Sequence, residues 1–327
     1  MKTIGVLFLC AFSLTARAQD SPTLKLTRTI RLSGVKGRFD HFAVDVTGHR
    51  LFVAALVNNT LEVFDTAAGK TITSITGLHK PTGVIYYPAS NQIGVANGDD
   101  GTFKVFNGTA YSLVREVGSL DDADNVRADS RTKVTYVGYG DGALAILDAG
   151  SMKQTGSIKL PAHPESFQLE TLGDRIFVNV PDAKLVAIID REKKAVTATW
   201  PMTKFKANFP MALDEANHRL FVGCRQPPRL VVVDTAAGKT VADLTISGDT
   251  DDLFYDAARK RIYLSCGEGF VDAITQRDAD TYQLRERIPT RQGARTSFFS
   301  ADRNELYLAV PERGNQPAEI RVFVIQT

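Results

Sequence analysis

The sequence predicts an all-β fold, a seven-bladed β-propeller with four antiparallel strands in each blade. The first observation is the segment 49–78, in which three runs of β-branched and aromatic residues are separated by Asn, Asp and Gly. Such runs with turn residues between them are typical of antiparallel strands. The second observation is that this pattern occurs seven times. The third is its period, because several short strands repeated every ~40–45 residues are typical of propeller blades.

The seven copies align on the second strand of each. Successive copies are 42, 42, 41, 44, 42 and 44 residues apart, and one heptapeptide, Asp-Thr-Ala-Ala-Gly-Lys-Thr, occurs at 65–71 and again at 234–240. One supersecondary unit is therefore expected to stack seven times around a ring. The aligned positions are Phe52, Gly94, Tyr136, Phe177, Phe221, Tyr263 and Tyr307.

One further apolar segment precedes each copy and predicts the innermost strand of its blade. The seventh copy has only three strands, whereas residues 24–32 form a strand with no blade of its own. Pairing that strand with the last blade would close the ring and remove two exposed sheet edges. The predicted inner strands are 39–46, 82–87, 125–128, 166–170, 209–213, 253–255 and 296–299.

Residues 1–18 are predicted to be a signal peptide, and residues 19–327 to form a single propeller domain. A basic start is followed by an apolar segment at 4–14 and an Ala-x-Ala motif that ends at Ala18. This order of segments is typical of a cleaved secretory signal. We therefore expect cleavage after Ala18 and a periplasmic or secreted protein.

The composition disfavours several kinds of partner. Residues 1–18 hold two of the 39 basic residues and none of the 37 acidic ones, so the mature chain is neutral and a nucleic-acid partner is not indicated. No later apolar run reaches the ~20 residues of a membrane span. We expect a monomer.

The two cysteines of the mature chain, Cys224 and Cys266, occupy equivalent positions on adjacent blades. Equivalent positions on packed sheets are separated by about 10 Å, which exceeds the reach of a disulfide. Two free thiols are therefore predicted. Small buried residues are the favoured interpretation, and a redox or soft-metal role remains the alternative.

The segments RLFVAALVNNTLEVFDTAAGKTI (50–72) and QIGVANGDDGTFKVF (92–106) resemble the YVTN-type repeat. Over nearly all of residues 24–327, the chain is similar to the YncE family of exported seven-bladed propellers. The resemblance implies the fold and transfers no catalytic residue. Nucleic-acid binding is associated with part of that family, and the neutral charge of the mature chain argues against it here.

The loops that lead into the inner strands, the lead-in loops, differ from copy to copy. On a propeller they meet on one face, the top face, around the mouth of the central channel, where function is expected. These loops are 38–41, 79–83, 121–125, 162–166, 206–210, 248–252 and 292–296. The candidate ligand-binding residues in them are His41, Asp124, Asn125, Glu165, Asp252 and Arg295.

Three interpretations of these polar residues remain open. They can be solvated or bind loop amides. They can bind a small polar ligand, with Arg295 facing an anionic group and His41 and the carboxylates facing hydroxyl or cationic groups. They can also include a divalent metal, because imidazole with carboxylate suits Zn²⁺, Mn²⁺ or Fe²⁺ and carboxylates alone suit Ca²⁺. The metal-ligand candidates are His41, His163, Glu165 and Asp252.

The first functional hypothesis is an exported, non-catalytic binding or scaffold propeller that recognises a small polar ligand or a protein partner on its top face. The alternative is a metal-assisted enzyme, a lactonase, hydrolase or lyase, that uses the same residues. No P-loop, Gly-x-Ser-x-Gly or Cys-x-x-Cys motif points to one particular reaction.

Overall fold

The structure, a computed structural model that describes residues 22–326, is a ring of seven four-stranded antiparallel sheets. The predicted signal peptide, residues 1–18, lies outside the described residues. Within 22–326, no helix is long and apolar enough to cross a membrane. The all-β, seven-bladed fold predicted from the repeats is confirmed.

The strands are, in chain order, β1 (Leu24–Leu32), β2 (Phe42–Asp45), β3 (Arg50–Ala55), β4 (Thr60–Asp65), β5 (Lys70–Ile75), β6 (Pro81–Tyr87), β7 (Gln92–Asn97), β8 (Thr102–Asn107), β9 (Leu113–Val117), β10 (Val126–Asp129), β11 (Val134–Tyr139), β12 (Ala143–Asp148), β13 (Gln154–Lys159), β14 (Phe167–Leu169), β15 (Arg175–Val180), β16 (Leu185–Asp190), β17 (Ala195–Pro201), β18 (Lys206–Asp214), β19 (Arg219–Gln226), β20 (Pro228–Asp234), β21 (Lys239–Thr245), β22 (Thr250–Asp256), β23 (Arg261–Cys266), β24 (Phe270–Gln276), β25 (Tyr282–Pro289), β26 (Thr296–Ser300), β27 (Glu305–Val310) and β28 (Ala318–Ile325). Blades 1 to 6 each take four consecutive strands from β2 onward, the first of them innermost.

Blade 7 is completed by the N-terminal strand. Its order is β1-β28-β27-β26, and β1 runs antiparallel to β28, with Leu24 opposite Ile325 and Leu32 opposite Ala318. Leu24 is buried between blades 6 and 7, and Leu32 between blades 7 and 1. The predicted closure of the ring is confirmed.

The hydrophobic core consists of seven clusters, one between each pair of neighbouring blades. The aromatic residues at the aligned positions of the repeat are buried in these clusters. Blade 2 carries Gly94 at that position, where an added Cβ would lie 2.4 Å from the ring of Phe103. The space that an aromatic residue fills in the other blades is thus filled by Phe103 from the next strand.

The repeated heptapeptide forms the turn between the third and fourth strands of a blade. In blade 1, Asp65 Oδ1 accepts hydrogen bonds from the amides of Ala67 (2.8 Å) and Ala68 (2.7 Å). Gly69 follows with a φ of 68°, a left-handed conformation that favours glycine. Asp234 makes the same bonds in blade 5, so the two identical segments form the same turn.

Cys224 and Cys266 are free, buried thiols near the ends of the second strands of blades 5 and 6. Burial raises the pKa of the Cys224 thiol to about 12 and raises that of Cys266 as well. Because the thiolate is the reactive form, such buried thiols are inert. This environment favours the structural interpretation of the two residues.

Candidate functional site

The lead-in loops meet around a cavity of about 120 Å³ on the top face, here called the mouth cavity. Six of the seven blades contribute to its wall. Of the six predicted ligand-binding residues, five line this cavity, and Asp252 lines the space below it. Their convergence is a property of the fold, and their role in binding stays a prediction. The lining residues are Arg38, Asp40, His41, Asp124, Asn125, Glu165, Ser166, Phe209, Arg225, Asp251 and Arg295.

Two further cavities, of about 230 and 390 Å³, lie along the inner strands and form part of the central channel. His41 borders all three cavities, so the channel adjoins the mouth cavity. The residues that both channel cavities share are His41, Arg127, Gln168, Asp252 and Phe254. The channel is thus a mixed polar and aromatic space with a charged entrance.

His41 lies before its inner strand, within the segment 39–46 that was predicted to be strand. β2 begins only at Phe42, so this part of the prediction is wrong. The Asp40 amide donates to the carbonyl of Ala54 (2.8 Å), and the Ala54 amide donates to the carbonyl of His41 (3.0 Å). The loop is therefore fixed against β3 although it departs from the regular ladder.

A β-bulge positions the two aspartates of blade 6. The register of β22 against β23 shifts between Thr250 and Asp252, and such bulges redirect side chains. Asp251 consequently lines the mouth cavity, and both Asp251 and Asp252 line the channel cavity. Asp252 Oδ2 accepts a hydrogen bond from the Ser297 amide (2.7 Å).

Asp124 lies at the centre of the mouth, between two histidines. His41 Nε2 is 3.7 Å from Asp124 Oδ1, and His163 Nε2 is 4.0 Å from Asp124 Oδ2. His41 Nε2 is also 3.6 Å from Asp40 Oδ1. His163 Nδ1 donates to the carbonyl oxygen of Gly140 (2.7 Å), which holds its Nε2 on the side of Asp124. One carboxylate thus connects lead-in loops of blades 1, 3 and 4.

These carboxylates stabilise the protonated form of both histidines. Burial opposes the protonation of His41, but Asp40 and Asp124 raise its pKa to about 10. Asp124 likewise raises the pKa of His163 to about 9. Although burial raises the pKa of Asp124, the two histidines hold it well below its ordinary value. At neutral pH the mouth therefore contains an imidazolium–carboxylate–imidazolium group.

The pKa values of the surrounding carboxyl groups are raised, whereas that of Asp124 is lowered. Burial raises the pKa of Glu165 to about 8, and the charge of Asp124 adds to the shift. Burial likewise raises the pKa of Asp252 to about 7 and that of Asp40 to about 6. Acids that titrate near neutral pH in a cleft are typical of functional sites.

The other side of the mouth is a closed set of ion pairs. Arg295 Nη1 is 2.6 Å from Asp249 Oδ1, and Arg295 Nε is 3.0 Å from Asp251 Oδ2. Arg225 pairs with the same two aspartates and lies 3.9 Å above the ring of Phe209. Arg295, which was predicted to face an anionic ligand group, is therefore already neutralised by protein carboxylates.

Arg127 is absent from the residues predicted from the sequence. It is half-buried, lines both channel cavities and forms no ion pair with any residue in 22–326, since the partners of Asp124 are the two histidines. Nη1 donates to the Val126 carbonyl (2.8 Å), and the guanidinium lies 5.6 Å from the ring of Phe167. Burial lowers the pKa of Arg127, while Asp252 and Asp124 raise it.

The repeat pattern places Arg127 on the channel side of its strand. Strand residues two apart face the same side, so the residue two after Asn125 also faces the channel. In blade 3 this residue, Arg127, pairs with Tyr136, the aligned position of the repeat. The residues at this inner position are Ala43, Ile85, Arg127, Gln168, Ala212, Phe254 and Phe298. Arg127 is the charged member of this set.

Two buried oxygen atoms at the mouth have no hydrogen-bond donor among the described residues, Asp124 Oδ1 and Asn125 Oδ1. Asn125 is 2% exposed and lines the mouth cavity. Because buried acceptors are nearly always satisfied, these two atoms favour a ligand, cation or water at this place.

Two groups of three potential metal-ligand atoms lie at the mouth, and within each group the atoms are within 4.8 Å of one another. Of the four metal-ligand candidates from the sequence, Asp252 belongs to neither group. Asp124, which was predicted from the sequence to lie at the same site, belongs to both groups, and Asp40, which was not predicted, belongs to one. The groups are Asp40, His41 and Asp124, and Asp124, His163 and Glu165.

The ring of blades and its polar mouth define a seven-bladed β-propeller with a polar cavity where its lead-in loops meet. No family model matches the chain. The chain is 24% identical over 216 residues to the uncharacterized protein YncE of Salmonella typhi and equally to that of Salmonella typhimurium. The match covers 64% of this chain and 60% of each relative. Together with the seven blades, it supports a YncE-like propeller family, as the repeats indicated.

Solved structures confirm the fold. A chain of the mitotic checkpoint complex superimposes with a TM-score of 0.78 at 14% identity and covers 98% of this chain and 99% of its own length. A chain of hydrazine synthase from Kuenenia stuttgartiensis superimposes with a TM-score of 0.72 at 16% identity and covers 85% and 94%. Identities this low show the fold alone.

Proposed function

We propose that this chain is an exported binding protein whose top-face mouth and adjoining channel hold a small polar ligand. The observation that carries the proposal is the convergence of charged side chains from six blades on one cavity. A concave site with buried polar groups suits a small molecule better than a flat protein surface does. Export is supported by the apolar segment and the Ala-x-Ala motif that ends at Ala18.

The channel suggests how such a ligand is oriented. Arg127 is the guanidinium at the site without a carboxylate partner among the described residues, so it suits an anionic group of the ligand. Phe254 and Phe298 supply apolar surface next to it. Asp252 and His41 lie on the mouth side and suit hydroxyl or amino groups. We infer that the ligand is a small organic acid with polar substituents.

The proposal is tested by thermal unfolding of residues 19–327 with a panel of hydroxy acids, sugar acids and amino acids. A ligand at about 100 times its Kd stabilises the fold by ~2.7 kcal/mol, which corresponds to a rise in Tm of about 5 °C in a domain of this size. At least one acid should produce such a shift in the wild type, and Arg127→Met should abolish it.

Arg131→Met is the matched control, because Arg131 follows the same inner strand at its other end and is exposed. This variant should respond as the wild type does. An equal shift in Arg127→Met, or a wild type that no acid of the panel stabilises, would contradict the proposal.

The metal-assisted enzyme remains a second candidate, and two observations favour it. Asp40 and Glu165 titrate near neutral pH, as general acids and bases do, and both belong to potential metal-ligand groups. Acid release from simple lactones in the presence of Mn²⁺, lost in Glu165→Gln, would favour the enzyme. Binding without turnover would favour the binding protein.

A further inference from the structure

We propose that the mouth cavity binds two divalent transition-metal ions at adjacent positions that share Asp124 as a ligand. The inference rests on the proposed function, since it takes the mouth to be a ligand site, and it names a class of ligand. The first position consists of Asp40, His41 and Asp124, and the second of Asp124, His163 and Glu165.

The spacing of the ligand atoms fits such ions. Two atoms bound at 2.0–2.1 Å in a tetrahedral zinc site are about 3.3 Å apart. His41 Nε2 lies 3.6 Å from Asp40 Oδ1 and 3.7 Å from Asp124 Oδ1, and His163 Nε2 lies 4.0 Å from Asp124 Oδ2. For these three pairs, shifts of a few tenths of an ångström by each atom would bring them to bonding distance, and the other pairs of each group lie within 4.8 Å.

Asp124 has the orientation of a bridging carboxylate. Its two oxygens face different histidines, and such a carboxylate can join ions ~3.5–4 Å apart, as in two-metal sites. Oδ1 is buried and has no hydrogen-bond donor among the described residues, and the same is true of Oδ1 of the adjacent Asn125. Asp124 Oδ1 faces the His41 imidazole at 3.7 Å. Asn125 is 2% exposed and belongs to neither three-residue group, so its unsatisfied acceptor is evidence for a ligand that is independent of the acidic cluster itself.

His163 has the outer contact that ligating histidines have. Such a histidine usually donates its other ring N–H to a carboxylate or backbone carbonyl, which fixes the tautomer and the ring. His163 Nδ1 donates to the Gly140 carbonyl at 2.7 Å, so its Nε2 is the free nitrogen on the side of Asp124. Imidazole with carboxylate favours Zn²⁺, Mn²⁺ or Fe²⁺.

The ligand carboxylates are only partly compensated by positively charged side chains, which favours cation binding. Arg225 and Arg295 are paired with Asp249 and Asp251, so they do not compensate the ligand carboxylates. Arg38 pairs with one of the proposed ligands, since its Nη2 lies 3.3 Å from Asp40 Oδ2. Within residues 22–326 further counter-charge comes from the two histidines and from Arg127, whose charge interacts with Asp124.

The experiment is a calorimetric titration of chelator-treated protein, residues 19–327, with MnCl₂ and with ZnCl₂. Two ions per chain are expected for the wild type and one for His163→Gln. Asp124→Asn removes the shared ligand and should weaken both positions by on the order of 100-fold or more, above the loss typical of outer contacts. Circular dichroism establishes that each variant is folded.

His79→Gln is the matched control. His79 Nε2 lies 3.9 Å from Asp100 Oδ2, but the side chain is 58% exposed and belongs to neither three-residue group. This variant should bind two ions with wild-type affinity. Equal losses in His79→Gln and His163→Gln would indicate adventitious binding and overturn the inference.

A wild type that binds no ion, or a folded Asp124→Asn that binds as the wild type does, would also overturn it. The titration separates this failure from that of the proposed function, because Arg127 is not a ligand of either position. If the acid panel stabilises the protein and no ion binds, the metal inference alone fails. If two ions bind and no acid stabilises the protein, the organic-ligand proposal alone fails.

Discussion

Removal of residues 19–32 is expected to lower the Tm of the protein by roughly 10 °C or more. β1 buries Leu24, Ile30 and Leu32 in the two cores that flank blade 7. Burial of each such side chain is worth about 1.5–3 kcal/mol, and 1 kcal/mol corresponds to at least ~2 °C in a domain of this size. The deletion also exposes the edge of β28, which favours aggregation.

The Tm and the soluble yield of the deletion variant measure this effect. Point variants on the same strand provide the control: Leu32→Ala removes a side chain that is 2% exposed, and Leu26→Ala one that is 48% exposed. The first should destabilise strongly and the second weakly. A deletion variant that melts within about 2 °C of the wild type would show that β1 is not what closes the ring.

Glu165→Gln is expected to stabilise the protein at alkaline pH and to have no effect at acidic pH. Burial raises the pKa of Glu165 to about 8 from 4.5, with a further contribution from Asp124. The folded state therefore keeps a proton that the unfolded state loses. The stability linked to this proton is fully present below pH 4.5 and is lost as the pH rises through 8.

Glutamine keeps the size of Glu165 and carries no charge. One pKa unit corresponds to ~1.4 kcal/mol, and because water reaches the mouth we expect a gain of roughly 2 kcal/mol at pH 9. Denaturant unfolding at pH 4, 7 and 9 measures it. Glu116→Gln, on an exposed outer strand, should leave the pH dependence unchanged. If Glu165→Gln is no more stable than the wild type at pH 9, the carboxylate is not buried as described.

The fold could be predicted because its determinants are local. Alternation of apolar strands with Asn, Asp and Gly turns recurs in every blade, and the Asp65 turn shows how one residue fixes such a segment. Ring closure could be predicted because the seventh copy has three strands and the segment 24–32 supplies the fourth. Strand ends were less certain, since a bulge in β22 and the irregular loop before β2 depend on contacts between neighbouring blades.

The site could be predicted only in part. The position of His41 and Asp124 follows from the ring, since equivalent lead-in loops must meet at its axis. The pairing of Arg295 with Asp249 could not be predicted, because it depends on the rotamers of long side chains from different blades. Arg127 could have been found by continuing the two-residue alternation of the inner strand beyond Asn125.

The coupling of the mouth charges through Asp124 is tested most directly by the imidazole titrations of His41 and His163, followed by ¹⁵N NMR in metal-free protein. Both rings should stay protonated above pH 8, with pKa values of about 10 and about 9 against an ordinary value of 6.5. Asp124→Asn should lower the pKa of both, because it removes the charge that they share. Titration of both histidines near 6.5 in the wild type, or the same pKa values in Asp124→Asn, would contradict the coupling.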